Sequence, residues 1–203
     1  GLDPARIEDA FVGCGYPEGR TGINIARQSA IRAGLPVTVA GATVNRFCAS
    51  GLQAIAIASH AIAQEGAPAV IAGGVESISQ MPPSRPPQAR DPWIEEHKPD
   101  LYLSMIQTAD IVAKRYGISR EAQDALAYES QMRTAAAQEA GRLDDEIVPI
   151  TVTQAFKDRE TGEITRREVT FGMGDCNPPT PTPAGRAKLA PAAGEGHFRT
   201  AGH

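Results

Sequence analysis

The feature that most constrains this chain is residues 49–64, which carry no charge at all and follow directly on Val44-Asn45-Arg46-Phe47-Cys48. Before the terminal Gln64, the polar side chains of that stretch are Ser50, Gln53, Ser59 and His60. A helix apolar around its whole circumference is a buried helix, so this one is expected at the centre of a domain. Residues 37–44, Val-Thr-Val-Ala-Gly-Ala-Thr-Val, are rich in β-branched side chains and predict a strand able to pack on both faces. Cys48 falls at the join of strand and helix. The first turn of a helix has free N–H groups and a positive dipole end that stabilise an anion. A cysteine there is expected to have a lowered pKa and to act as a thiolate nucleophile. The bland alternative is a small buried cysteine, the commonest fate of a free thiol.

The flanking segments extend this pattern. Ala10-Phe11-Val12-Gly13-Cys14 is a short apolar run ended by Gly15, Pro17 and Gly19, as for a strand entering a loop. Residues 24–33 have helical spacing and close on Gly34 and Pro36, and Glu65-Gly66 with Pro68 ends the central helix. Ala69-Val70-Ile71-Ala72-Gly73-Gly74 predicts a third strand. Strand, helix, strand, helix, strand calls for parallel pairing through right-handed crossovers, the layered α/β arrangement. Glu76 follows the third strand, and a loop carboxylate satisfied by nearby backbone is preferred for it over a catalytic group.

Composition changes at Met81. Pro82-Pro83, Pro86-Pro87, Pro92 and Pro99 predict an irregular segment where a domain boundary or a long excursion begins. From Arg85 onward lie 15 of the 20 Lys and Arg residues and 18 of the 24 acids, so this part is the more solvent-facing. Residues 101–116 and 120–140 predict two helices, the second capped by Ser119 with Glu121 in its first turn and closed by Gly141. Residues 147–153 predict a strand, and residues 157–171 a hairpin turning near Thr161-Gly162 with Arg166, Arg167 and Glu168 exposed. Residues 177–183 predict a rigid linker. The opening Gly1-Leu2-Asp3-Pro4 looks like the exit from an earlier element, and the end at Ala201-Gly202-His203 looks like a cut.

Several function classes are disfavoured. A formal net charge of -4 without a basic tract argues against nucleic acid as the main partner. No apolar run is long enough for a bilayer helix and no secretory leader pattern is present, so membrane insertion is not expected and a cytoplasmic protein is. Cys14, Cys48 and Cys176 are an odd number without metal-like or redox-like spacing, which fits a reducing compartment. His60, His97, His197 and His203 are too scattered for a metal site, and none is expected. His60 is expected as a core or helix-edge side chain, and Arg166 and Arg167 as a solvated face. Gly13-Cys14-Gly15 lacks the third glycine of a nucleotide loop.

Val44-Asn45-Arg46-Phe47-Cys48-Ala49-Ser50-Gly51-Leu52 followed by Gly73-Gly74-Val75-Glu76-Ser77-Ile78-Ser79 resembles the nucleophile region of thiolases, the acetyl-CoA C-acyltransferases and acetyltransferases. The resemblance continues through Asn24-Ile25-Ala26-Arg27-Gln28, Ser104-Met105-Ile106-Gln107-Thr108-Ala109-Asp110, Gly117-Ile118-Ser119-Arg120-Glu121 and Asp145-Glu146-Ile147-Val148-Pro149 to Ala187-Lys188-Leu189-Ala190-Pro191. It implies an incomplete N-terminal half of the layered α/β thiolase fold over residues 1–82. Residues 83–203 would be an α+β loop domain covering coenzyme A, and the C-terminal domain would be absent.

For the site, the resemblance implies that Cys48 is the acyl-accepting nucleophile of a 3-oxoacyl-CoA thiolase, its backbone N–H an oxyanion donor. It implies acyl-CoA and coenzyme A as substrates, and Met105 at the acyl and pantetheine end of the pocket, where plain packing is the alternative. A homo-oligomer, dimer or tetramer, is expected because the sheet would otherwise end on an exposed edge. The sequence departs from the family pattern in having no Asn-Glu-Ala-Phe-Ala-like turn, no Gly-His-Pro and no Cys-x-Gly-Gly-Gly. Thr200-Ala201-Gly202-His203 also stands where the family tends to read Thr-Ala-Gly-Asn and then Ala-Ser, which removes a serine contact to coenzyme A. The 203 residues alone are therefore expected to be inactive. Rival readings are a non-catalytic acyl-CoA or lipid-binding fragment, and a ketoacyl synthase, which shares the fold and a nucleophilic cysteine.

Overall fold

Three parallel strands and two helices make up the first part of the chain, in the alternation that the apolar runs predict. The computed structural model describes residues 1–80, 90–172 and 189–190. They belong to two compact units, Gly1–Ala89 and Arg90–His203, each taken by itself below. The boundary expected at residues 82 and 83, the prolines from Pro82 to Pro87, the linker at 177–183, Cys176, Lys188, Pro191, His197 and the last residues to His203 lie outside the described residues.

In the first unit, β1 (Asp9–Gly13) is the middle strand, flanked by β2 (Ala42–Val44) and β3 (Val70–Gly74), both parallel to it. The last rungs pair Gly13 with Val44 on one side and with Gly74 on the other, so the three strands end level. Helix α1 (Ile25–Arg32) leads into β2 and packs on β1 and β2. Asn24 is its N-cap, with its side-chain oxygen accepting from the Arg27 N–H at 3.1 Å. The same oxygen accepts from the Thr43 hydroxyl at 3.0 Å, and the Asn24 amide donates to the Gly41 carbonyl at 2.7 Å, so this cap also fixes the entry to β2.

Helix α2 (Ser50–Glu65) packs on β1 and β3 and ends on Gly66, whose φ of 78° places it in the left-handed region that glycine tolerates. Its buried stripe is Ser50, Ala54, Ala58 and Ala61, residues four, four and three apart on one face. The expectation of a helix covered all round does not hold within this unit. Leu52, Ile55 and Ile62 are 73%, 51% and 50% exposed, because a three-stranded sheet covers only one face of the helix. The expected strand over residues 37–44 is also shorter, its regular part being Ala42–Val44. The Arg27 guanidinium takes the carbonyls of Val37 and Val39, which holds that segment in a turn with Val39 buried and Val37 exposed.

In the second unit, α3 (Pro92–His97) arises within the stretch expected to be irregular. Pro92 stands at its first positions, where a missing N–H and a fixed φ favour a helix, and Asp91 caps it. Helix α4 (Met105–Tyr116) starts four residues later than expected, because Ser104 and Gln107 form a capping box; Leu101 and Tyr102 belong to a separate 3-10 turn. Helix α5 (Arg120–Glu139) is capped by Ser119 as expected. The expected strand at 147–153 and the hairpin at 157–171 are in fact one hairpin, β4 (Ile150–Lys157) against β5 (Ile164–Phe171), antiparallel from Ile150–Phe171 to Lys157–Ile164. Asp158 caps the turn, which contains Thr161 and Gly162 as expected. Its side chain accepts from the N–H groups of Glu160 at 2.9 Å and Thr161 at 2.7 Å.

Candidate active site

Because β1, β2 and β3 end level, the loops that leave them gather at the carboxyl edge of the sheet, the edge where open parallel sheets bind ligands. The loop from β2 is the shortest. Asn45 and Arg46 lead into a 3-10 turn, Phe47–Ala49, and α2 begins at Ser50 with Ala49 as its N-cap. Cys48 is therefore in the turn that feeds the helix and not in the first turn of the α-helix. It is exposed.

The turn is held from several sides. Phe47 has φ 46°, a left-handed conformation unusual for a large side chain, and such a residue persists only where its surroundings over-determine it. The Asn45 side-chain oxygen accepts from the Phe47 N–H at 2.9 Å. The Ser50 hydroxyl donates to the Phe47 carbonyl at 2.5 Å and accepts from the Arg46 N–H at 2.9 Å. Further along, the Arg46 guanidinium donates to the Gln53 side chain. Ser50 is buried because the sheet comes up against it. A Cβ on Gly13 would lie 2.3 Å from the Ser50 carbonyl carbon and 2.5 Å from the Gly51 nitrogen, so only glycine allows the end of β1 to abut the start of α2.

The other wall is built from the exits of β1 and β3. The Glu76 carboxylate accepts from the N–H groups of Gly15 at 2.8 Å and Tyr16 at 3.2 Å, and from the Cys14 thiol at 3.5 Å. Glu76 is thus satisfied by nearby backbone, as expected. Cys14 is 1% exposed, and burial pushes its thiol above the ordinary range, with the Glu76 carboxylate adding to the shift and the Thr21 hydroxyl opposing it. The Tyr16 and Phe47 rings meet edge to face with centroids 6.4 Å apart.

Among the other expected site residues, Met105 is the first residue of α4 in the second unit and is 75% exposed. His60 is exposed on α2. His97 stacks on Trp93 with ring centroids 4.4 Å apart. Arg166 and Arg167 are exposed on β5, as expected of a solvated face, with the Arg167 guanidinium 3.9 Å from the Phe156 ring centroid. No group of three His, Cys, Asp or Glu residues among the described ones could hold a metal ion, and none of the described helices is long and apolar enough to cross a membrane.

Sequence reasoning missed Gly13, Asn45 and Ser50 as parts of the site. Asn45 two residues before Phe47 carries the Asx-turn signal that could have found it. Ser50 acts on its own turn, three and four residues back, whereas Gly13 acts through a close approach to a segment far along the chain, for which no local signal exists.

Residues 1–172 match the family model described as "Thiolase, N-terminal domain". The chain is 46% identical over 147 residues to the 3-ketoacyl-CoA thiolase of Bacillus subtilis (strain 168), covering 72% of this chain and 38% of that protein. It is 38% identical over 212 residues to the acetyl-CoA acetyltransferase of Cupriavidus necator (strain ATCC 17699), covering 96% and 53%. Among solved structures, the crystal structure of the Bacillus anthracis acetyl-CoA acetyltransferase superposes with a TM-score of 0.78 at 32% identity, over 99% of this chain and 51% of that one. The chain thus spans about half, or less, of the length of these relatives.

Proposed function

Because this chain belongs to the thiolase family through its N-terminal domain, we propose that it supplies the nucleophile half of an acyl-CoA C-acyltransferase, with Cys48 as the acyl acceptor. The observation that carries this reading is the exposed Cys48 on a turn fixed by Asn45 and Ser50 at the carboxyl edge of a parallel sheet. Proteins of similar sequence are named 3-ketoacyl-CoA thiolase and acetyl-CoA acetyltransferase, which fits the same chemistry.

In the proposed reaction the Cys48 thiolate attacks the 3-oxo carbon of a 3-oxoacyl-CoA. The bond between carbons 2 and 3 breaks, and its electron pair goes to carbon 2, which takes a proton and leaves as acetyl-CoA. The acyl group stays on Sγ as a thioester and passes to the thiol of coenzyme A, which regenerates Cys48. A thioester on cysteine is close in energy to one on coenzyme A, so the transfer runs in either direction. The Cys48 N–H serves as one oxyanion donor, where a single such donor contributes about 10²-fold or more to the rate. Met105 lines the acyl and pantetheine end of the pocket, residues 83–203 act as the domain that covers coenzyme A, and the protein works as a cytoplasmic homo-oligomer, dimer or tetramer.

General acid and base are a separate matter. No histidine of the 203 residues stands in a Gly-His-Pro and no cysteine in a Cys-x-Gly-Gly-Gly. Without a group to move the proton at carbon 2, these residues alone do not turn over. Acylation of Cys48 and turnover are therefore tested separately. Incubation with acetyl-CoA followed by peptide mass spectrometry is expected to place an acetyl group on Cys48 in the wild-type protein and none in Cys48→Ala. Acetyl transfer to other cysteines only, or to none, sinks the nucleophile reading and favours a non-catalytic acyl-CoA-binding role. Acetyl groups taken from carrier-protein thioesters but not from acetyl-CoA would favour the ketoacyl synthase instead. Purified residues 1–203 are expected not to cleave acetoacetyl-CoA, and cleavage at a rate near that of a complete thiolase refutes the statement on turnover.

A further inference from the structure

We infer that Glu76 is a positioning residue for the Cys48 turn, an inference that rests on the reading of Cys48 as nucleophile. Its carboxylate gathers three consecutive donors from the β1 exit, 60 or more residues away: the thiol of Cys14 and the N–H groups of Gly15 and Tyr16. Hydrogen bonds to an ionised acceptor are stronger than neutral ones, so this one side chain fixes the path of residues 14–16. A parallel tie, the Val75 N–H to the Gly13 carbonyl at 2.9 Å, keeps the two strand exits together.

The residues held by Glu76 are those against which the nucleophile turn rests. A Cβ on Gly15 would lie 3.3 Å from the Phe47 carbonyl oxygen, 3.4 Å from its carbon and 3.0 Å from the Glu76 carboxylate, so the carboxylate and the residue that precedes Cys48 border the same small space beside Gly15. Tyr16, the second backbone donor, sets its ring against that of Phe47. Asn45 and Ser50 grip Phe47 from within its own segment, and the Tyr16 ring meets it from the β1 exit that Glu76 holds.

Loss of the carboxylate loosens the turn and is expected to slow alkylation of Cys48. The test is the second-order rate of iodoacetamide alkylation at Cys48, followed by peptide mass spectrometry from pH 6 to 10 in the full-length protein. Glu76→Ala is expected to lower that rate about fivefold at neutral pH. Glu76→Gln, which keeps an oxygen acceptor for the Gly15 N–H without the charge, is expected to stay within about twofold of wild type. An unchanged or faster rate in folded Glu76→Ala overturns the inference, as does a slowing in Glu76→Gln equal to that in Glu76→Ala.

Cys14 reports on folding in the same experiment. If its alkylation in Glu76→Ala matches that of the urea-unfolded chain, the variant has unfolded, and Glu76→Asp takes its place with the same expectation, since it withdraws the acceptor by one methylene. Wild-type Cys48 that takes no acetyl group from acetyl-CoA defeats the nucleophile reading, whereas equal alkylation rates in wild type and variant defeat only the positioning role.

Discussion

The hydroxyl of Ser50 donates to the carbonyl of Phe47 at 2.5 Å across the turn that carries Cys48, and the same oxygen takes the Arg46 N–H at 2.9 Å. One buried side chain thus satisfies a donor and an acceptor of a backbone that has left the sheet and not yet entered the helix. Removing it leaves the Arg46 N–H without this acceptor in a partly buried place. Ser50→Ala is expected to destabilise the protein by about 1–3 kcal/mol and to slow acylation of Cys48 in the protein that remains folded. Urea unfolding and Cys48 mass labelling read the two effects, and an unfolding midpoint equal to wild type contradicts the role assigned to this hydroxyl.

Gly13 allows no side chain. Its neighbours at 2.3 Å and 2.5 Å are main-chain atoms of Ser50 and Gly51, which cannot rotate away as a flexible side chain would. Gly13→Ala must push α2 off the end of β1, and overpacking against backbone costs about 3 kcal/mol or more. The expected outcome is a large fall in unfolding midpoint, with Gly73→Ala as the comparison, since a Cβ there meets nothing within 4 Å. Equal stability of the two variants would show that the approach of helix to strand is not as close as stated.

Much of the first unit was legible in the sequence because its signals are local. Gly34, Gly66 and Asn24 mark helix ends through their own conformations and caps, and the alternation of apolar runs dictates parallel pairing. The strand expected at residues 37–44 is cut to Ala42–Val44 because β-branched composition cannot reveal that Arg27, ten or more residues earlier, takes the carbonyls of Val37 and Val39. The lack of charge in the central helix predicts cover all round, but coverage depends on what packs there, and within this unit Leu52 and Ile55 face outward. In the hairpin, Thr161-Gly162 marks the turn, but the residues before it give no sign that the first strand runs on to Lys157 and not only to Thr153. Cys48 stood out as a residue type at a join of strand and helix. The reach of Gly13 and Glu76 to that turn is not legible, because their contacts join segments distant in the chain, while Asn45 and Ser50 act within the turn itself.

Burial raises the Cys14 thiol above its ordinary range, so the folded state holds this proton more tightly than the unfolded state does. Its contribution to stability is full below the unfolded value, about 8.5, and is lost as pH rises through the folded value. The unfolding midpoint of the wild-type protein is therefore expected to fall more steeply between pH 8 and pH 10 than that of Cys14→Ala. Parallel curves for the two proteins over that window would mean that this thiol titrates alike in both states.

Asp158 has the opposite sign. The backbone N–H groups of Thr161 and Glu160, helped by the Thr161 hydroxyl, hold its carboxyl below the usual carboxylate range. The stabilisation of the turn is then present above the ordinary value, about 3.9, and disappears as pH falls through the lower folded value. The hairpin buries little, with both of its strands largely exposed, so its turn should weigh heavily in its local stability. Amide hydrogen exchange in β4 and β5, corrected for intrinsic rates, is expected to quicken in Asp158→Ala at pH 6 while that of β1 and α2 stays unchanged. In the wild type the same amides should approach the variant's protection as the pH is lowered from 5 to 2. If wild type and variant exchange alike at pH 6, the turn is closed by its backbone alone and Asp158 does not hold it.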